Sequence, residues 1–455
     1  MFRSFLPLIA AALTLTMVSC STQSGQAEKP LPAESIRTAT MNITPGVEVL
    51  AHLALPSGFV PAAQYPPMWL QTGNEVAIAG VRDGRTTIIG YGGAGYRTER
   101  VIARDGGIGA SDGHIVDVAA SPNGMVLALV VVKPGSRQLD VVSRDVISEG
   151  AANPISSFDG EFESASIGWI DDFTLMLALR TRTEDRQSDR GSKAPAEAVQ
   201  APAPAASSGL YIITQSGVVT TGYLKLKCKM SRPTWAPDGN GAASSGDASA
   251  PAIVIDRAKE SCQMIPARPP IRILDWAHDS KAFLFQNVNP PLETGVYRYD
   301  LTSNTARLVA IASGAAAFVG NDQILALGDR GLTLASAQTA PDRPVRAEVA
   351  ISNQSGSDIE VESLGFNTTP AMLAGSIMTY ARATDAAAIA TFSPTAEGPV
   401  RKIVSYSVAP KRAFLIAFGP ARGLATMSWS PRGHYLALVD GDESGAALTI
   451  VSPPR

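Results

Sequence analysis

The stretch Trp235-Ala236-Pro237-Asp238-Gly239 is one copy of a phrase that recurs through the chain. Each copy has an aromatic or small residue, a short polar turn, and then a run of apolar or alternating residues. Proline presets φ for a turn, Asp and Asn hydrogen-bond to the turn backbone, and Gly tolerates positive φ, so each phrase predicts a β-hairpin. Other copies begin at Trp69, Trp169, Trp276 and Trp429, with weaker copies at Ala120, Phe318 and, weakest of all, Phe366.

The spacing of these phrases predicts the architecture. Most successive starts lie 41 to 51 residues apart, which matches the ~40–50 residues of a four-stranded propeller blade. The longest step, 66 residues, contains an Ala/Pro-rich stretch at about 183–208 that reads as a flexible loop inserted in a blade. With 40 glycines and 32 prolines punctuating short apolar runs, the sequence predicts an all-β propeller of four-stranded blades. Eight blades are favoured, and seven is the alternative because the phrase at Phe366 is poor.

The two ends of the folded region are expected to meet. After Trp429 the chain offers only two further strands before Arg455, so the last unit lacks its outer strand. A propeller closes without leaving a long exposed edge. Residues 47–55 are apolar and largely alternating, which makes them the natural donor of the missing strand. The propeller domain is therefore expected to span residues 41–455, closed by this N-terminal strand.

The repeat phrases resemble the TolB-type, WD40-like propeller repeat, which also occurs in the propeller part of LpqB-type lipoproteins. The resemblance covers about residues 65–455. Its core phrase is complete only at Trp235 to Gly239, with near copies at Ser121 to Gly124 and Trp429 to Gly433. It implies a propeller for most of the chain, with no room for the separate amino-terminal domain of TolB or LpqB proteins.

The first twenty residues have the layout of an export signal. Arg3 is followed by an apolar run over residues 5–18, which is too short to span a bilayer, and small residues precede Cys20. Met17-Val18-Ser19-Cys20 resembles the bacterial lipobox, with Met17 in place of the usual leucine. We predict a signal peptide over 1–19, lipidation at Cys20 and a flexible tether over 20–40. The alternative is an ordinary signal peptide cleaved elsewhere.

No constellation in the sequence predicts catalytic, cofactor-binding or metal-binding residues. The four histidines, at 52, 114, 278 and 434, have no metal-ligand spacing, and no G-x-S-x-G occurs. Residues 90–95 fit G-x-G-x-x-G but lead into a strand, so they predict a turn. Asp171 and Asp172 are expected to hydrogen-bond to turn backbone. The repeat tryptophans are expected to be wedges between blades.

Two cysteines remain after Cys20. In an oxidising exterior an even pair suggests a bridge, so Cys228 and Cys262 are predicted to form a disulfide; the alternative is two separate thiols.

Composition also limits the partners. A net charge of −3 gives no indication of nucleic-acid binding. The leading hypothesis is a non-enzymatic lipoprotein, lipid-anchored at the bacterial cell envelope, whose propeller binds or scaffolds an envelope protein or glycan. The alternative is an envelope enzyme, a lyase or glycan hydrolase, with its active site in the propeller channel. Carboxylate, histidine and arginine side chains gathered at one channel mouth, with perturbed titration, would favour the enzyme.

Overall fold

The computed structural model describes residues 41–107, 113–133, 135–148, 152–182, 208–215, 224–225, 233–246, 251–259, 261–289, 292, 294–311, 313–320, 323–328, 331–336, 350–352, 358–359, 375–395, 398–409, 412–420, 424–442 and 445–454. β-strands form nearly all of the regular structure, and no α-helix occurs in this part of the chain. The strands group into eight sheets that follow one another along the sequence, and their pairs are antiparallel except for one parallel pair in the seventh sheet.

The first three blades come directly after the N-terminal strands β1 (Asn42–Ile43), β2 (Glu48–Ala54) and β3 (Phe59–Pro61). Blade 1 contains β4 (Met68–Leu70), β5 (Glu75–Arg82), β6 (Arg85–Gly92) and β7 (Thr98–Arg104). Short 3-10 turns lie at Gln71–Gly73 and Ala94–Tyr96. Strands β3 and β4 both pair with the same edge of β5. Blade 2 contains β8 (His114–Ala120), β9 (Val126–Val132), β10 (Gln138–Asp145) and β11 (Asn153–Asp159). Blade 3 contains β12 (Phe162–Trp169), β13 (Thr174–Thr181), β14 (Gly209–Thr214) and β15 (Leu224–Lys225).

The next three sheets continue the meander. Blade 4 contains β16 (Pro233–Trp235), β17 (Gly241–Ser244), β18 (Ile253–Asp256) and β19 (Ser261–Met264). Blade 5 contains β20 (Arg272–Trp276), β21 (Ala282–Asn287), β22 (Gly295–Asp300) and β23 (Thr305–Ile311). A sheet of three described strands follows, β24 (Ser313–Val319), β25 (Gln323–Gly328) and β26 (Gly331–Ser336).

The last two blades complete the ring. Blade 6 contains β29 (Ile377–Ala381), β30 (Ala386–Thr395), β31 (Gly398–Ser407) and β32 (Arg412–Pro420); β1, β27 (Ala350–Ser352) and β28 (Asp358–Ile359) extend its outer edge. Blade 7 contains β33 (Leu424–Trp429), β34 (Leu436–Asp442) and β35 (Gly445–Ser452), and its fourth strand is β2.

Eight clusters of buried side chains lie between successive sheets, including one between blade 7 and blade 1. The sheets therefore stack face to face in a closed ring, which is a β-propeller. Stacking also explains the apolar runs in the second strands: β9 reads VLALVVV and is buried along most of its length because another sheet covers each of its faces.

The predicted propeller is confirmed. Seven sheets of the ring are blades of four strands, and seven is the blade count that was named as the alternative. The sheet β24–β26, of which three strands are described, takes the remaining place in the ring. The predicted closure is also confirmed: β2 pairs antiparallel with β35, from Glu48 opposite Ser452 to Ala54 opposite Ala447. Residues 1–40, which hold the predicted signal peptide, Cys20 and tether, lie outside the described residues. So does nearly all of the predicted insertion at 183–208, which falls between β13 and β14.

The repeat starting at Phe366 also lies outside the described residues. The described innermost strand of blade 6 is β29, which contains Tyr380 and ends at Ala381. Tyr380 begins the phrase Tyr380-Ala381-Arg382-Ala383-Thr384. Tyr380 therefore takes the place that a tryptophan holds in other blades. The sequence pattern missed this copy because the phrase has neither Trp, Pro nor Gly.

Candidate functional site

Each repeat tryptophan lies near the end of the innermost strand of its blade and packs against the innermost strand of the preceding blade. The Trp169 indole N–H donates to the Ala119 carbonyl oxygen at 3.0 Å. The indoles of Trp429 and Trp69 make the same kind of bond to backbone oxygens at 3.2 Å. Trp235 lies so close to Gly168 that a Cβ there would come within 2.1 Å of the ring. These contacts confirm the prediction that the tryptophans are wedges between blades.

The phrase turns form a ring on one face of the propeller, which we call the turn face. Since the first and second strands of every blade are joined there, each turn lies beside the turns of its neighbours. The links, in ring order, are Gln71 N to Gly124 O, Asn123 N to Asp172 Oδ1, Ile170 against Gly239, Asp238 N to Ser280 Oγ, Arg382 to His278, Thr384 Oγ1 to Gly433 O, and Pro431 against Gly73.

One link in this ring differs from the others. Arg382 of blade 6 reaches His278 of blade 5, past the three-stranded sheet between them, and its Nη1 lies 2.9 Å from His278 Nδ1. Beneath this link is a cavity of about 420 Å³. It lies at the mouth of the central channel because its walls come from four consecutive innermost strands, β20, β24, β29 and β33. Its volume falls within the range of small-molecule sites.

The side chains at the cavity have distinct roles. Ala317 of β24 is small and leaves the space open, while Met378, Tyr380 and Trp429 supply apolar and aromatic surface. Among the described residues that line the cavity, Asp275 is the one carboxylate and Arg382 the one cation. We call this set the channel-mouth site.

Asp275 holds two neighbouring sheets together and still faces the cavity. Its Oδ1 accepts the Trp276 N–H at 2.9 Å, and its Oδ2 accepts the Phe318 N–H of the next sheet at 2.8 Å. Burial raises the pKa of Asp275 to about 6, against the smaller opposing effects of these N–H groups and of Arg382. A carboxylate has about four acceptor positions, so lone pairs remain for a ligand.

Arg382 is exposed at the rim and is positioned by neutral groups. Its Nη2 donates to the Trp276 carbonyl oxygen at 3.2 Å, and its Nη1 donates to Nδ1 of His278. Among the described residues its hydrogen-bond acceptors are thus both uncharged. Neither of these two described contacts is a carboxylate, and the charge of Arg382 acts on Asp275 in the same cavity.

The other candidates from the sequence have structural surroundings. Asp171 accepts the Phe173 N–H and Asp172 accepts the Asn123 N–H, as predicted for turn residues. Three of the histidines lie far from the cavity or off its wall: His52 bonds to Thr449, His114 to Asp105, and His434 contacts the ring of Tyr435. His278 contacts Arg382 of the channel-mouth site, but it is not among the described residues that line the cavity.

The glycine-rich segment forms a turn between β6 and β7, with a single 3-10 turn at Ala94–Tyr96, as predicted. Gly90 has a packing role: a Cβ there would lie 2.1 Å from the Glu75 carboxylate, which pairs with Arg100 at 2.7 Å. A second cavity, of about 500 Å³, lies beside this pair. Its acid and base neutralise each other, so it offers a ligand less charge than the channel mouth does.

Cys262 is in a disulfide. Its predicted partner, Cys228, lies outside the described residues, so this pairing stays a prediction, as does lipidation at Cys20. Within the described ranges, no group of three potential metal-ligating side chains comes together. Nor does that part of the chain contain a helix long and apolar enough to cross a membrane.

Comparison with known proteins identifies the fold of this chain but assigns it to no family. No family model matches the chain, and no curated protein does. The Dos1 propeller superposes with a TM-score of 0.51 at 11% identity, over 89% of this chain and 95% of that one. The chain shares its fold. A prolyl endopeptidase (TM-score 0.45, 12% identity) matches over 86% of this chain and 55% of its own length. TolB from Acinetobacter baumannii (TM-score 0.35, 11% identity) matches over 84% of this chain and 64% of its own length.

Sequence reasoning missed both charged groups of the channel-mouth site. A signal was present: Arg382 and His278 occupy the third position of their phrases, in Tyr380-Ala381-Arg382 and Trp276-Ala277-His278. Recognising the Tyr380 phrase would have put both side chains on the same face of the ring. Asp275 gave no such signal, because the residue before the aromatic differs from repeat to repeat.

Proposed function

We propose that this protein is a non-catalytic binding module of the bacterial cell envelope that receives its ligand at the channel-mouth site. The observation that carries the proposal is the Arg382 guanidinium, placed by neutral acceptors over a cavity walled by four innermost strands. A cation beside apolar surface is typical of a ligand site, where a few polar groups orient a ligand held by apolar contacts.

The place where the chain enters the fold supports this arrangement. Asn42 pairs with Phe418 near the end of β32, whereas β32 begins at Arg412, on the side of the turn face. The described chain therefore begins at the face opposite the cavity. A lipid on Cys20, 21 residues before Met41, would tether the protein from that side and leave the turn face available to a partner.

A photo-crosslinking residue at Ala383 tests the binding site. Ala383 lines the cavity and is exposed in a turn. We expect it to capture an envelope component in intact cells. The matched control is Ala258, which is exposed in the β18–β19 turn of the same face but outside the cavity lining. Equal capture at both positions, or none at Ala383, would contradict the proposal.

The anchor has its own test. We expect Cys20→Ser to abolish lipid labelling and to leave the protein as precursor or released from the membrane, since one acylated cysteine is the proposed attachment. Metabolic labelling with a fatty-acid analogue and membrane fractionation measure this. Lipid labelling that persists in the variant would rule out Cys20 as the modified residue.

A lyase is the second candidate function, because one observation favours it. Asp275, with its pKa raised to about 6, lines the same cavity as Arg382, whose Nη1 contacts His278. A carboxylate that titrates near neutral pH can take up a proton during a reaction. Glycan hydrolysis is less favoured, since it ordinarily uses two carboxylates and the described lining has one. Turnover of an envelope glycan that Asp275→Asn abolishes would support the lyase.

A further inference from the structure

We infer that the channel-mouth site recognises the ammonium and carboxylate of one α-amino acid, with Asp275 binding the ammonium and Arg382 the carboxylate. The inference rests on the proposed function and names the ligand class of that site. Three features carry it: the opposite charges of the two groups, the limit on their separation, and the apolar and aromatic side chains that line the same cavity.

The charges are complementary to a zwitterion. In the described part of the cavity wall, Asp275 is the one acid and Arg382 the one base. A ligand with a carboxylate alone would leave Asp275 without a hydrogen-bond donor from the ligand, and an amine alone would leave Arg382 without an acceptor from the ligand. Arginine offers a planar fork of donors that suits a carboxylate, while a carboxylate suits the three N–H groups of an ammonium.

The separation of the two groups limits the ligand to a single residue. Both bond to Trp276, whose N–H donates to Asp275 Oδ1 at 2.9 Å and whose carbonyl accepts from Arg382 Nη2 at 3.2 Å. Since the backbone path from N to O of one residue is about 4 Å long, Oδ1 and Nη2 are at most about 10 Å apart. An α-amino acid, with its two charged groups about 3 Å apart and a hydrogen bond of about 2.8 Å at each end, fits this span. An extended tripeptide, about 10 Å long before those bonds are added, does not.

The remaining wall of the cavity selects the side chain. Met378, Tyr380 and Trp429 line it, so an apolar side chain would replace water against apolar and aromatic surface. We therefore expect apolar amino acids to bind more tightly than glycine.

Calorimetric titration of the full-length exported protein with L-leucine tests the assignment. We expect L-leucinamide, which lacks the carboxylate, and N-acetyl-L-leucine, which lacks the ammonium, each to bind at least 10-fold more weakly than L-leucine, because each leaves one charged side chain unmatched. Leucinamide or N-acetyl-leucine binding as tightly as leucine would overturn the inference. So would glucuronate, a carboxylate without an ammonium, binding as tightly as leucine.

A charge-removing variant gives a second readout. Arg382→Gln is expected to weaken the binding of L-leucine at least 10-fold and to leave the affinity for L-leucinamide unchanged, because L-leucinamide has no carboxylate for Arg382 to bind. Arg257→Gln is the control: Arg257 bonds to Asn240 on the same face, outside the cavity lining. Equal weakening of both ligands by Arg382→Gln would contradict the assigned role of Arg382.

The test separates this inference from the proposed function. If L-leucine does not bind at about 10 mM while crosslinking at Ala383 persists, the amino-acid assignment is wrong and the binding site stands. If L-leucine does not bind and Ala383 captures nothing, both the amino-acid assignment and the proposed binding site are wrong.

Discussion

Deletion of residues 41–55 is expected to unfold the propeller, whereas deletion of residues 21–34 is expected to leave its stability nearly unchanged. The first deletion removes β2, the fourth strand of blade 7, and with it the pairing from Glu48–Ser452 to Ala54–Ala447. It also removes Met41 from the core between blades 6 and 7, and Ala51 and Leu55 from the core between blades 7 and 1.

The expected loss is large because one segment closes the ring. Burial of Met41 and Leu55 contributes about 1.5–3 kcal/mol each, and the strand hydrogen bonds contribute about 1 kcal/mol each. A loss of at least about 5 kcal/mol follows, which approaches the whole stability of a typical domain. The exposed edge of β35 would also invite aggregation.

Denaturant unfolding of the purified variants measures this prediction. The 21–34 deletion is the matched control, because that stretch is rich in Ser, Gln, Ala and Gly and has no apolar period. Equal midpoints for the wild-type protein and the 41–55 deletion would show that β2 does not close the ring.

Asp440→Ala is expected to lower the free energy of unfolding by about 3–5 kcal/mol. The Asp440 carboxylate pairs with the Arg401 guanidinium across the interface between blades 7 and 6. Arg401 is 2% exposed and Asp440 4% exposed. Removal of Asp440 would leave a buried cation beside the ring of Phe392, 5.3 Å from the guanidinium carbon, and without this carboxylate. Burial already lowers the pKa of Arg401, and Asp440 opposes this effect.

Two further variants sharpen the interpretation. Arg401→Met combined with Asp440→Leu is expected to recover most of the loss, because two apolar side chains need no counter-charge. Lys259→Ala, which breaks an exposed pair with Asp256, is expected to change stability by no more than about 1 kcal/mol. If Asp440→Ala costs no more than Lys259→Ala, the buried pair is not an important link between blades.

The sequence was sufficient for the parts of this protein that depend on local chemistry. Turn residues and apolar runs predicted the hairpins, and the tryptophans at 69, 169, 235, 276 and 429 all lie near the ends of innermost strands. Closure by residues 47–55 could also be predicted, because the last repeat lacked a strand and only one unassigned alternating segment preceded the first. In each case the information lies within one repeat, or in a count of strands.

Only the tertiary structure showed which side chains meet across blades. Asp275 and Arg382 are 107 residues apart, and Arg401 and Asp440 belong to different repeats with no common phrase. Their contacts depend on how each blade is rotated against its neighbour, and on Arg382 reaching His278 past the three-stranded sheet. Alternation along a strand says which face a side chain occupies, but not what lies opposite it. That is set by ring closure, so the propeller could be predicted from the sequence and the channel-mouth site could not.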